Sequence, residues 1–67
     1  MMQVTLNGAP QAFAEPLSIE ALLLTLNLRK ELVAIELNRQ IVRRTDYGKH
    51  VLCEGDALEI VEFVGGG

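Results

Sequence analysis

The sequence predicts an α+β domain, a mixed sheet of four to five strands packed on one main helix. Three observations predict it. Two stretches alternate apolar and polar residues with period two, and each meets a turn dipeptide. One stretch between them repeats its leucines at helical spacing. The chain then runs out through its most β-prone segment. With 67 residues, 49% of them hydrophobic, the chain has material for one small core and no more.

The first element is a hairpin over residues 2 to 14. Val4 and Leu6 alternate with Gln3, Thr5 and Asn7, and Asn7-Gly8 is the dipeptide that accepts positive φ in a two-residue turn. Pro16 closes the hairpin and Ser18 is a good helix N-cap. Ile19, Leu22, Leu23 and Leu26 follow at i, i+3, i+4 and i+7, one apolar stripe on a short helix that Asn27 ends. Glu20 stands one place too early for a capping box but suits the helix dipole. "VAIELNRQIVRR" returns to period two, with Val33, Ile35 and Leu37 on one face and Asn38-Arg39 turning into a short strand at Ile41 and Val42. Thr45 to His50, mainly polar around Tyr47 and Gly48, is a crossover with one helical turn, after which Val51 and Leu52 re-enter the core. "CEGD" is a turn, and "ALEIVEFV" is the last strand, rich in β-branched and aromatic residues. The expected core is the helix stripe with Val4, Leu6, Ile35, Leu37, Leu58 and Ile60.

Charge and cysteine usage exclude whole classes of function. Nine Asp+Glu stand against 6 Lys+Arg, net −3, and no basic run meets a phosphate backbone, so nucleic acid is not an expected partner. The first basic residue is Arg29 and no apolar run exceeds the four residues of Ala21 to Leu24. Neither a secretory leader nor a membrane span is therefore expected, and the protein reads as soluble and cytoplasmic. Cys53 is the only cysteine, so no internal disulfide, CxxC redox pair or zinc knuckle can form, and no metal site is expected.

The element order with its glycine ending resembles the β-grasp, or ubiquitin-like, fold. In detail the chain is similar to the ThiS family of sulfur-carrier proteins of thiamine biosynthesis. The resemblance rests on Ala34-Ile35-Glu36-Leu37-Asn38, Ile41-Val42 followed by Arg44, an aromatic at Tyr47, Leu52, the Gly55-Asp56 turn, Glu59-Ile60-Val61, and Val64-Gly65-Gly66-Gly67. Arg43, where the family commonly has proline, and Tyr47, where it commonly has tryptophan, depart from the pattern within the crossover. The resemblance implies a β-grasp domain over residues 1–64 and a flexible Gly-Gly-Gly tail over 65–67.

The tail has its own chemistry. A carboxylate is a poor electrophile, and acyl chemistry on it needs a better leaving group, which AMP transferred from ATP supplies. Glycine lacks Cβ, so Gly65 and Gly66 make a thread thin enough to bring a terminal carbonyl into a closed nucleotide site. The resemblance implies the remaining steps. A ThiF-type, ubiquitin-activating-like adenylyltransferase activates the Gly67 carboxylate, and sulfur from a cysteine desulfurase displaces AMP to leave a thiocarboxylate. A ThiG-type thiazole synthase then takes that sulfur. The carrier would be a cosubstrate with no catalytic residue and no bound cofactor, ATP being used by the partner. Glycines at a chain end can also be a frayed end, but Val64 and the Glu59-Ile60-Val61 strand lie at the family's distance from the terminus.

Other polar residues carry less. Cys53 lacks a neighbouring cation, so packing or partial burial is expected rather than a persulfide acceptor. His50 has no second ligand and belongs on the solvated crossover. Arg43-Arg44 is solvated surface or a pair that steers a partner. If Leu58 and Ile60 face the helix, Val61 and Phe63 face the other way. Together with Val64 they form a candidate docking surface, unless a bulge buries Phe63. Two alternatives to the carrier of thiamine biosynthesis stay open at this point. One is a sulfur carrier of the type of the molybdopterin synthase small subunit. The other is a ubiquitin-like modifier or interaction module.

Overall fold

The computed structural model describes residues 1–63; Val64 and the glycines of the tail lie outside them. Strand β1 (Met2–Leu6) and β2 (Ala9–Phe13) form the expected hairpin. Leu6 pairs with Ala9, and the two-residue turn has Asn7 at φ 50° and Gly8 at φ 84°. Both values suit the mirror-image turn that matches strand twist. Strands β3 (Val33–Leu37) and β4 (Gln40–Val42) repeat the device, with Asn38 at φ 51° and Arg39 at φ 71°. Strand β5 (Ala57–Glu62) enters between the two hairpins, parallel to β1 and antiparallel to β3, which gives the order β2-β1-β5-β3-β4. Among the described residues, one mixed five-stranded sheet covering one α-helix is the β-grasp arrangement that the sequence predicts.

Helix α1 (Ile19–Thr25) begins at Ser18, whose Oγ accepts from the Ala21 amide at 3.0 Å. The next orphan donors of the first turn are met by the crossover: Ile19 N donates to the His50 carbonyl at 2.9 Å and Glu20 N to the Tyr47 carbonyl at 3.0 Å. These bonds draw the crossover across the helix N-terminus and explain why Tyr47, read from sequence as part of a polar segment, lies in the core at 2% exposure. Arg44 ties the crossover down from the other side, its guanidinium donating to the carbonyls of Lys30 and Glu31. Steering a partner is therefore not needed to explain Arg44.

The helix closes through Asn27 at φ 60°, with Leu28 N donating to the Leu23 carbonyl and Asn27 N to the Leu24 carbonyl. This is the left-handed termination that joins the residue after the turn to the last buried leucine. Leu26 thereby becomes the C-cap and turns outward at 37% exposure, while Leu28 packs against the core in its place. The expected stripe of four is thus Ile19, Leu22 and Leu23, completed by Leu28. Of the other expected core residues, Val4, Ile35, Leu37 and Leu58 are buried, and Leu6 and Ile60 are half-buried against them. Leu52 enters the core as expected, but Val51 is exposed.

Candidate functional site

The site is the end of β5, from which the glycine tail departs. Strands β1 and β3 hold β5 on its two sides, and two asparagines extend that grip, Asn38 at the start of the strand and Asn7 toward its end. The ladder between β1 and β5 covers only Thr5↔Ala57 and Leu6↔Leu58 before β1 turns away. Beyond it, Asn7 stands in for the missing strand: its Oδ1 accepts from Ile60 N at 2.7 Å and its Nδ2 donates to the Ile60 carbonyl at 3.2 Å. A primary amide reproduces both groups of a peptide, which neither aspartate nor glycine can do. On the other side Asn38 takes the start of β5, its Oδ1 accepting from Ala57 N at 2.9 Å and its Nδ2 donating to Asp56 Oδ1. Phe63 N donates to the Leu32 carbonyl at 2.7 Å, so pairing to the β3 side persists to the last described residue.

The sequence marks Asn7 and Asn38 as turn residues and misses their second role. What could have revealed it is the choice of asparagine at both turns, where a left-handed φ alone would equally admit glycine. The clamp makes a prediction. Asn7→Gly keeps the turn and removes both side-chain bonds, so it should lower stability by about 1 kcal/mol and raise exchange of the Ile60 amide well above its neighbours. Hydrogen exchange by NMR reads this directly. Unchanged protection at Ile60 would show that the β3 ladder alone holds the strand.

Alternation along β5 sends Leu58 and Ile60 to the helix and Val61 to the outer face, as the sequence predicts. Val61 is 58% exposed and Phe63 52%, so no bulge buries Phe63. Ile41, on the same outer face of β4 and separated from β5 by β3, is 71% exposed and joins them, an addition that period two within "QIV" could have supplied. Val64, Gly65, Gly66 and Gly67, the remaining residues of the predicted site, lie outside the described residues.

The other candidates sit apart from this end. Cys53 is exposed rather than packed or partly buried, and its turn is tied by the Asp56 carboxylate, whose Oδ2 accepts from the Cys53 amide at 2.8 Å. His50 is exposed on the crossover as expected. Among the described residues no group of three or more His, Cys, Asp or Glu is placed to hold a metal ion, and no helix is long and apolar enough to cross a membrane.

Comparison with known proteins supports this picture from both sequence and structure. The ThiS family model matches residues 4–67, the whole tail included. A thiazole synthase from Magnetococcus marinus is 42% identical over 66 residues, which cover 98% of this chain and 20% of that protein, so the chain spans a fifth of its length. The sulfur carrier protein ThiS of Bacillus subtilis is 40% identical over 50 residues, covering 75% of this chain and 76% of the relative. Among solved structures, the crystal structure of the thiamine biosynthesis protein ThiS from Geobacter metallireducens superposes with a TM-score of 0.83 at 36% identity, covering 98% of this chain and 100% of that one. A matching fold, identity sustained over nearly the full chain, and a family match that runs through the final glycine agree: the chain belongs to the ThiS family.

Proposed function

We propose that the protein is the sulfur carrier of thiazole formation in thiamine biosynthesis and that Gly67 is its working group. The observation that carries this reading is the family match reaching residue 67, directly after a strand whose end is fixed on both sides. The chemistry proposed starts with an adenylyltransferase, which transfers AMP from ATP to the Gly67 carboxylate and releases pyrophosphate. The outer sulfur of a persulfide charged by a cysteine desulfurase then attacks the acyl carbon and AMP leaves, giving an acyl disulfide; a thiol reductant breaks its S–S bond, forming a disulfide with the inner sulfur and releasing the thiocarboxylate. Thiazole synthase takes the sulfur from it. Each step acts on the carrier's own terminus, so the protein is a cosubstrate that its partners process, and ATP is consumed by the adenylating enzyme. The proposed setting is the cytoplasm, where ATP is supplied.

Thiazole synthase is the partner with the most direct support, since a protein of that name contains a stretch 42% identical to this chain. Val61, Phe63 and Val64 are the proposed docking surface, and Gly65 and Gly66 the thread into the partner's site. Complementation tests the reading. A bacterial strain lacking its own ThiS should grow without added thiamine when it makes this protein, and should not when it makes a form ending at Gly65. A protein that instead restored molybdenum-cofactor synthesis in a strain lacking the molybdopterin synthase small subunit, and left the thiamine requirement in place, would overturn it.

A further inference from the structure

The outer face of the sheet holds an arrangement that the fold does not need. Glu36 of β3 and Glu59 of β5 are direct cross-strand partners, and both are exposed. Like charges directly opposite one another weaken a strand pair. Neither carboxylate enters an ion pair among the described residues. The outward positions around them, Ala34, Ile41, Ala57 and Val61, carry no cation. The two carboxylates nonetheless share one feature with the apolar chains: Glu36, Glu59, Ala34, Ile41 and Val61 line a single shallow depression of about 100 Å³. Its polar groups are acidic and its walls are aliphatic. Ile41 and Val61 give it an exposed apolar rim, which continues to Phe63 at the base of the tail.

We propose that this depression receives an arginine or lysine of the thiazole synthase, so that Glu36 and Glu59 are specificity determinants of the docking face. The assignment rests on the function proposed above. A long basic side chain fits on both counts, its methylene stem lying against Ile41 and Val61 and its head between the two carboxylates. A single cation would neutralise the repulsion that the free carrier retains, and the contact would be stronger for being ringed by apolar chains that exclude water. A second copy of this chain fits poorly, because two such faces in contact would bring four carboxylates together.

The test separates folding from docking, since one substitution should move them in opposite directions. In Glu59→Lys the new side chain would face Glu36 across the strands, replacing a repulsive pair with an attractive one, so thermal unfolding should occur at a higher temperature than in the parent. Affinity for purified thiazole synthase from the same organism, measured by titration calorimetry, should fall by about tenfold or more. Glu15→Lys makes the same change in net charge on an exposed loop away from the sheet face and should shift affinity by less than about threefold. Parent binding should weaken with added salt more steeply than binding of Glu59→Lys. Parent binding that Glu59→Lys leaves intact would overturn the proposal alone. Absence of parent binding would overturn the partner assignment together with it. Self-association of the parent that Glu59→Lys abolishes would give the face to a second copy, which also overturns it.

Discussion

Appending one alanine after Gly67 is expected to abolish adenylation while leaving the fold untouched. The proposed activation needs the terminal carboxylate at the α-phosphate of ATP, and one added residue moves it by about 3.5 Å along the thread, far outside the tolerance of a reacting geometry. The added methyl also widens a thread that glycine keeps narrow. Among the described residues the core ends at Ile60, so unfolding of the extended protein should stay within about 0.5 kcal/mol of the parent. ATP-pyrophosphate exchange with the adenylyltransferase, run beside thermal unfolding, checks both halves. Deleting Gly66-Gly67 should give the same pair of results. Exchange as fast with the extended chain as with the parent would mean that the glycines are only a frayed end.

Leu58→Ala is expected to do the reverse. Leu58 is 1% exposed, pairs with Leu6 on one side and Leu37 on the other, and so stands at the centre of the β1-β5-β3 row. Truncating a leucine there removes its burial and leaves a cavity, at a cost of about 2–5 kcal/mol. A chain of this size has a total stability of roughly 3–10 kcal/mol, so the loss should lower Tm by about 10 °C or more and could leave little folded protein at 37 °C. At low temperature the remaining folded fraction should still be adenylated, because the proposed reaction takes place at the Gly67 carboxylate and uses no side chain of the core. A normal melting curve for Leu58→Ala would contradict the placement of Leu58 at the centre of the core.

Much of this was legible in the sequence, for reasons that can be located. Asn7-Gly8 and Asn38-Arg39 specify their turns locally, and period two on either side specifies which residues face in, so both hairpins and the outward direction of Val61 and Phe63 follow from neighbours in the chain. The errors come from long-range bonds and, at Leu26, from a helix terminus. Tyr47 is buried because the crossover's carbonyls meet amides of a helix some thirty residues earlier in the chain, and no local pattern encodes that meeting. Leu26 fits the stripe by spacing but falls on the helix terminus, where Leu28 takes over after the left-handed turn. The asparagine clamps on β5 span 53 and 19 residues in sequence and could be seen only once β5 lay between the hairpins. The tail was the reverse case, its reading coming from composition, position and family likeness.

The measurement that bears most directly on the central claim is the intact mass of the protein after incubation with ATP, the adenylyltransferase and a sulfur source, followed by mapping of the C-terminal peptide. The account predicts a gain equal to the replacement of one oxygen by sulfur, confined to the peptide that ends at Gly67, and the same gain in Cys53→Ser, since the exposed thiol takes no part. An unchanged mass in the presence of a demonstrably active adenylyltransferase would contradict it, as would a gain that maps to Cys53 and disappears in Cys53→Ser.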